Sequence, residues 1–167
     1  MQQCAMGTLT QQSPEWIHSA PFRASATREL EATPDAVFAA LADHESWPEW
    51  FDAIQRVERF GELHDGVGSN RRIFINGRVS IDEEFNVWEP GRRWGFRVLS
   101  ATVPGLKSMA ELVTIEALGD DRSSVTYQMG IEAKPPLSLV IGRAAGPIGK
   151  RLGIALDALG THIADVS

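Results

Sequence analysis

From Phe22 onward the chain alternates. Phe22, Ala24, Ala26 and Leu30 fall on one side and Arg23, Ser25, Thr27, Glu29 and Glu31 on the other, the period of a half-buried strand. The run stops at Ala32-Thr33-Pro34-Asp35. Thr33 can cap a helix whose first residue is Pro34, a position that has no use for a backbone donor. Val37, Phe38 and Leu41 then follow at helical spacing. The helix breaks near Asp43-His44, and a second short turn carries Trp47-Pro48-Glu49-Trp50-Phe51.

The next part of the chain reads as a meander of antiparallel strands. Ile54–Phe60 leads into the loop Gly61–Ser69, and Arg71–Ile75 meets Arg78–Trp88 across Asn76-Gly77, two residues that tolerate the positive φ of a tight hairpin. Glu89-Pro90-Gly91-Arg92 is a turn with Pro preset at its second position and Gly at its third. Trp94–Leu99, Lys107–Leu118 and Ser124–Ala133 complete the set, the last two joined by Gly119-Asp120-Asp121-Arg122. After Pro135-Pro136 the period changes. Leu137, Ile141, Ala144, Ile148, Leu152, Leu156, Leu159 and Ile163 fall near one helical face. This long helix contains Pro147 and five glycines, at positions 142, 146, 149, 153 and 160, which need either close approach to another surface or mobility to explain them.

Strand phasing also selects candidate functional residues, because a charge on the apolar face of a strand must be paired or must border a wet cavity. Arg28 shares a face with Phe22, Ala24, Ala26 and Leu30; Glu83 is in phase with Val79, Ile81, Phe85 and Val87; Glu111 is in phase with Met109, Val113 and Ile115. One of Arg71 and Arg72 must point inward, since neighbours on a strand face opposite ways. Tyr127, the only tyrosine, alternates with Val125, Met129 and Ile131 and would be a polar handle in an apolar pocket. Trp47, Trp50 and Phe51 either cover a cavity mouth or plug the end of the core. His44 reads as a cation at a helix C-terminus, and His64-Asp65 as a solvated turn.

Composition narrows the function. The chain has 167 residues, 43% hydrophobic and 23% charged, and its 16 Lys+Arg against 22 Asp+Glu give a net charge of −6. Such a balance disfavours nucleic acid, which needs a basic stripe. No stretch approaches the roughly 18 apolar residues of a membrane span. Cys4 is the single cysteine, so neither an intramolecular disulfide nor a thiolate metal site is expected, and the chain suits a reducing, cytoplasmic setting. The four histidines lack metal-ligand spacing, so no metal and no cofactor is expected. Residues 1–15 are polar and read as a disordered extension before one domain over 16–167.

One strand, two short helices, six further strands and a long C-terminal helix form a distinctive order. Leu30-Glu31-Ala32-Thr33-Pro34-Asp35-Ala36-Val37-Phe38, Asp43-His44-Glu45-Ser46-Trp47-Pro48-Glu49-Trp50, Gly66-Val67-Gly68-Ser69, Trp88-Glu89-Pro90-Gly91-Arg92-Arg93 and Ser124-Val125-Thr126-Tyr127 carry a resemblance, over about residues 20–165, to the helix-grip superfamily. That superfamily includes START domains, birch-pollen-allergen-like proteins and bacterial polyketide cyclase/dehydrase-like proteins. The resemblance implies an α+β fold in which a curved seven-stranded antiparallel sheet wraps the C-terminal helix and leaves an apolar cavity. It implies a hydrophobic small-molecule ligand (a lipid, polyketide or aromatic metabolite), with Arg28, Trp47, Trp50, Glu83, Phe85, Glu111 and Tyr127 as candidate ligand-binding residues. Two readings stay open. One is a carrier; the other is a cyclase/dehydratase-type enzyme in which Arg28, Glu83, Glu111 and Tyr127 move protons. A second copy of the chain also stays open as a partner.

Overall fold

The computed structural model describes residues 5–167, so Cys4 lies outside the described residues. The strands are β1 (Gly7–Thr8), β2 (Phe22–Leu30), β3 (Ile54–Phe60), β4 (Asn70–Ile75), β5 (Val79–Glu89), β6 (Arg93–Ala101), β7 (Leu106–Ala117) and β8 (Ser123–Ala133). The helices are α1 (Pro34–Ala42), α2 (Trp47–Trp50) and α3 (Leu137–Val166). The antiparallel sheet runs β2-β8-β7-β6-β5-β4-β3, with β1 added alongside β6. Its inner face and α3 enclose the main core, centred on Trp94, Val113, Val125, Leu152, Leu156 and Leu159. No helix among the described residues is long and apolar enough to cross a membrane.

Local chemistry sets the connections as expected. The Ala36 amide donates to the Thr33 hydroxyl at the start of α1 (3.2 Å). Asn76 (φ 49°) and Gly77 (φ 66°) both take the left-handed backbone that the β4–β5 hairpin requires. Four of the five glycines of α3 (142, 149, 153 and 160) serve close approach to β2. A Cβ at Gly149 would lie 3.1 Å from the Ser25 carbonyl oxygen, and one at Gly153 would collide with the Arg28 guanidinium.

Two expectations are corrected. The polar start is not without structure beyond Gly7. The β6–β7 pairing covers only Arg93–Arg97 against Ala110–Thr114, so the far end of β6 would be left as an open edge. Gly7 and Thr8 fill it opposite Ala101 and Ser100, the Leu9 amide donates to the Leu99 carbonyl and the Thr10 amide to that of Lys107 (both 2.8 Å). Leu9 is buried, and Ile17 covers Val87, Ala110 and Leu112 on the outer face of the sheet. The second correction concerns Val87. A register shift between Phe85 and Val87 turns Val87 outward and brings Trp88 to the core side, so the period-2 phase holds from Ile81 only as far as Phe85.

Candidate functional site

The cavity lies between the inner face of the sheet, the α2–β3 connection and the middle of α3, with a volume of about 160 Å³. Its lining is apolar apart from Arg71, Glu83, Glu111, Tyr127 and Arg151. Arg151 is exposed and Phe51, Ala53 and Ile148 are half-buried, which places the mouth between α3 and the α2–β3 connection.

The polar floor follows from strand pairing. Arg71 stands opposite Glu83 and Arg72 opposite Asp82 in the β4–β5 register, and the two cross-strand pairs point to opposite faces. On the outer face Arg72 grips Asp82 through two hydrogen bonds (2.6 and 2.9 Å). On the inner face Arg71 Nε donates to Glu83 Oε2 at 2.5 Å, with both side chains 1% exposed. The Arg71 guanidinium lies over the Trp47 ring (4.2 Å) and within 5.3 Å of Phe85, Trp94 and Phe96, which supply cation–π attraction in place of water. Its Nη1 donates to His44 Nδ1 at 3.2 Å, which requires the neutral imidazole. Nη2 has no partner among the described residues.

Across the cavity Tyr127 donates its hydroxyl to Glu111 Oε2. Burial, then the nearby Glu83 charge, pushes Glu111 up to about 8, so its carboxyl is protonated at neutral pH. Burial also raises Glu83, opposed by Arg71. With a guanidinium at 2.5 Å, Glu83 is the carboxylate of the pair and Glu111 the acid. Burial and the Glu111 carboxyl hold Tyr127 well above the usual phenol range, so it remains a donor.

Of the residues selected from sequence, Trp47, Glu83, Glu111 and Tyr127 line this cavity. Three do not. Arg28 is on the inner face, as its phase requires, but α3 lies directly over it, and it bonds Asp157 (2.9 Å) across Gly153. Trp50 is buried against Trp47 and Phe51. Phe85 stands behind Arg71, 5.0 Å from Trp94 and 4.9 Å from His44 between ring centroids. His44 is corrected in kind. It is 1% exposed, and burial followed by the Arg71 charge lowers it to about 2, so it is a neutral acceptor and no helix-end cation. Phasing left Arg71 ambiguous. The signal that resolves it is the Arg71-Arg72 pair facing Asp82-Glu83 across a three-residue loop, Asn76-Gly77-Arg78, one longer than the Asn76-Gly77 turn expected; that register matches opposite charges on both faces at once. His64 projects into solvent beside Arg59 and Asp65, and the described residues hold no cluster of three or more potential metal ligands.

A long helix gripped by a curved antiparallel sheet, with two short helices after β2, is the helix-grip fold. The profile described as "Polyketide cyclase / dehydrase and lipid transport" matches residues 21–164, and the chain belongs to this family. The uncharacterized protein Rv2574 of Mycobacterium tuberculosis is 32% identical over 103 residues, 62% of each chain. The match thus spans less than two thirds of that relative's length. Among solved structures, a START superfamily protein from Mycobacterium smegmatis superimposes with TM-score 0.71 at 18% identity, covering 87% of this chain and 99% of that one. The Zhui aromatase/cyclase from Streptomyces sp. R1128 gives 0.71 at 17% identity (85% and 93%). Norcoclaurine synthase from Thalictrum flavum, in complex with dopamine and hydroxybenzaldehyde, gives 0.67 at 15% identity (95% and 96%). At these identities the structural likenesses establish the fold alone.

Proposed function

We propose that residues 16–167 form one domain that binds a hydrophobic small molecule in the cavity between the sheet and α3. The observation that carries this reading is the cavity itself, about 160 Å³ lined by apolar side chains apart from Arg71, Glu83, Glu111, Tyr127 and Arg151. The family description and the aromatase/cyclase and synthase likenesses support a small-molecule role.

The test is native mass spectrometry of gently purified protein, followed by denaturing analysis of whatever it releases. One apolar adduct per chain is expected, and Ile148→Trp, which fills the mouth, should abolish it. An adduct retained in full by that variant would place the ligand elsewhere. A second reading, an enzyme of the cyclase/dehydratase type, draws on one feature. Glu111 is a protonated carboxyl beside a phenol in a cavity, the state a general acid needs at neutral pH. Under that reading Glu111→Gln lowers turnover while leaving affinity nearly intact.

A further inference from the structure

We infer that the outward face of α3 between Leu139 and Ile154 docks on an anionic lipid surface. The face stands on its own residues, whether or not the cavity holds a ligand.

The first observation is the distribution of charge. The chain has 22 acidic residues against 16 basic ones, yet residues 133–156 hold Lys134, Arg143, Lys150 and Arg151 and no Asp or Glu. The first acid of α3 is Asp157, and it is bonded to Arg28 (2.9 Å). On the strands the cations are matched, Arg72 with Asp82, Arg97 with Glu84 and Lys107 with Glu132. Arg143, Lys150 and Arg151 are exposed and form no ion pair among the described residues.

The second observation is what accompanies these cations. At about 100° per residue, Leu139, Lys150, Arg143, Ile154, Val140 and Arg151 fall in that order within one sector of about 120°. Buried Ile141, Leu152, Leu156 and Leu159 lie on the opposite side. Leu139, Val140 and Ile154 are 64%, 61% and 54% exposed, so three aliphatic side chains stand in water among three unpaired cations. The stripe runs for roughly 22 Å along the helix at 1.5 Å per residue.

This combination selects the occupant. A face built only for solubility intersperses both signs of charge. A helix lying along a bilayer gives its cations to the headgroups and its aliphatic side chains to the acyl boundary. The stripe is a convex helix face, with no groove to anchor the side chain of a partner protein. No helix among the described residues is long and apolar enough to cross the membrane, so the contact is with its surface. The acidic remainder of the chain is repelled by the same surface, which sets the orientation. Ile148 and Arg151 border the cavity mouth, so docking turns the mouth toward lipid.

Co-sedimentation of the full chain with vesicles tests this. One set is phosphatidylcholine alone, and the other is phosphatidylcholine and phosphatidylglycerol in equal parts. A basic residue held near an anionic leaflet gains roughly fivefold in affinity, so the three helix cations should favour the anionic vesicles by roughly 100-fold. High salt should shrink that difference. Arg143→Gln/Lys150→Gln should weaken anionic binding by roughly 25-fold, and Leu139→Ser/Val140→Ser by at least about tenfold. All four positions are exposed, so both variants should melt as the wild type does. Arg92→Gln/Arg122→Gln, the same charge change on the β5–β6 and β7–β8 turns, should leave binding nearly intact. Equal binding to the two vesicle sets, no binding to either, or equal losses in the two charge variants overturns the inference. A loss in Arg143→Gln/Lys150→Gln with none in Leu139→Ser/Val140→Ser marks a general anion patch and overturns the lipid assignment. Each of these results leaves the cavity reading where its own test puts it.

Discussion

At the scale of single residues, the Arg71–Glu83 pair is the costliest feature of the molecule. Two charges 1% exposed have given up their hydration, and removing one leaves the other uncompensated, at about 3–5 kcal/mol. Glu83→Leu alone, or Arg71→Met alone, should lower stability by that amount in a denaturant titration. The double variant should recover most of it, since Met and Leu fit an aromatic-lined space. Losses that simply add in the double variant would mean that the two charges do not stabilise each other. Protonation adds a second prediction. Glu111 ionises near 4.5 unfolded and near 8 folded, so between those values the folded state binds the extra proton and stability falls as pH rises. His44 ionises near 6.5 unfolded and near 2 folded. Below about 6.5 the unfolded state therefore binds the extra proton, and stability falls as pH drops. Glu111→Gln should flatten the alkaline side of the melting-temperature profile and His44→Gln the acid side. Glu83, raised in the same direction as Glu111, leaves some alkaline slope. A variant profile parallel to the wild type would refute the corresponding assignment.

At the scale of elements, the glycines and the proline of α3 have different tasks. Gly149 has the Ser25 carbonyl against it, so Gly149→Ala should cost roughly 1–3 kcal/mol through overpacking. Gly146 has open space around it but precedes Pro147, and the absence of a Cβ there relieves the crowding that proline imposes on the residue before it. Pro147 is exposed and within the helix, so Pro147→Ala should stabilise by up to about 3 kcal/mol. Thermal melts of the two variants should move in opposite directions. The same scale shows what could be read in the chain beforehand. Turns that depend on local chemistry, such as Asn76-Gly77 and Thr33-Pro34, were legible because the residues themselves carry the geometry. The inward phase of Glu111 and Tyr127 was legible because β7 and β8 pair without interruption from Ser108 to Ala117. Val87 was not, because the bulge after Phe85 is set by the fit of β5 to β6 and leaves no mark in the local pattern. Arg28 shows the remaining limit. Its phase is correct, yet phase does not say whether a cavity or a helix lies opposite.

At the scale of the whole molecule, the N-terminal segment fills the far edge of β6 with β1 and Leu9 and covers the outer face of the sheet with Ile17. The part before residue 16 was illegible as structure because its anchor, Leu9, stands alone among polar residues and its partners are far along the chain. Deleting residues 1–12 would remove the burial of Leu9, worth roughly 1.5–3 kcal/mol, and reopen the edge of β6. The shortened protein should melt at lower temperature and exchange the Ala101 and Lys107 region amides faster. Unchanged melting would mean that the segment rests on the sheet without supporting it.

The strand order has a further consequence for how the protein is made. Strands β3 to β8 each pair with the strand just before or after them, so they can zip as they leave the ribosome. β1 and β2 cannot: Thr8 waits for Ser100, and Phe22 for Ile131. Such distant pairings are the slow part of folding. The half-buried strand that α3 will later cover therefore has no partner until β8 has emerged, and the cavity acquires its last wall only once α3 has followed all eight strands.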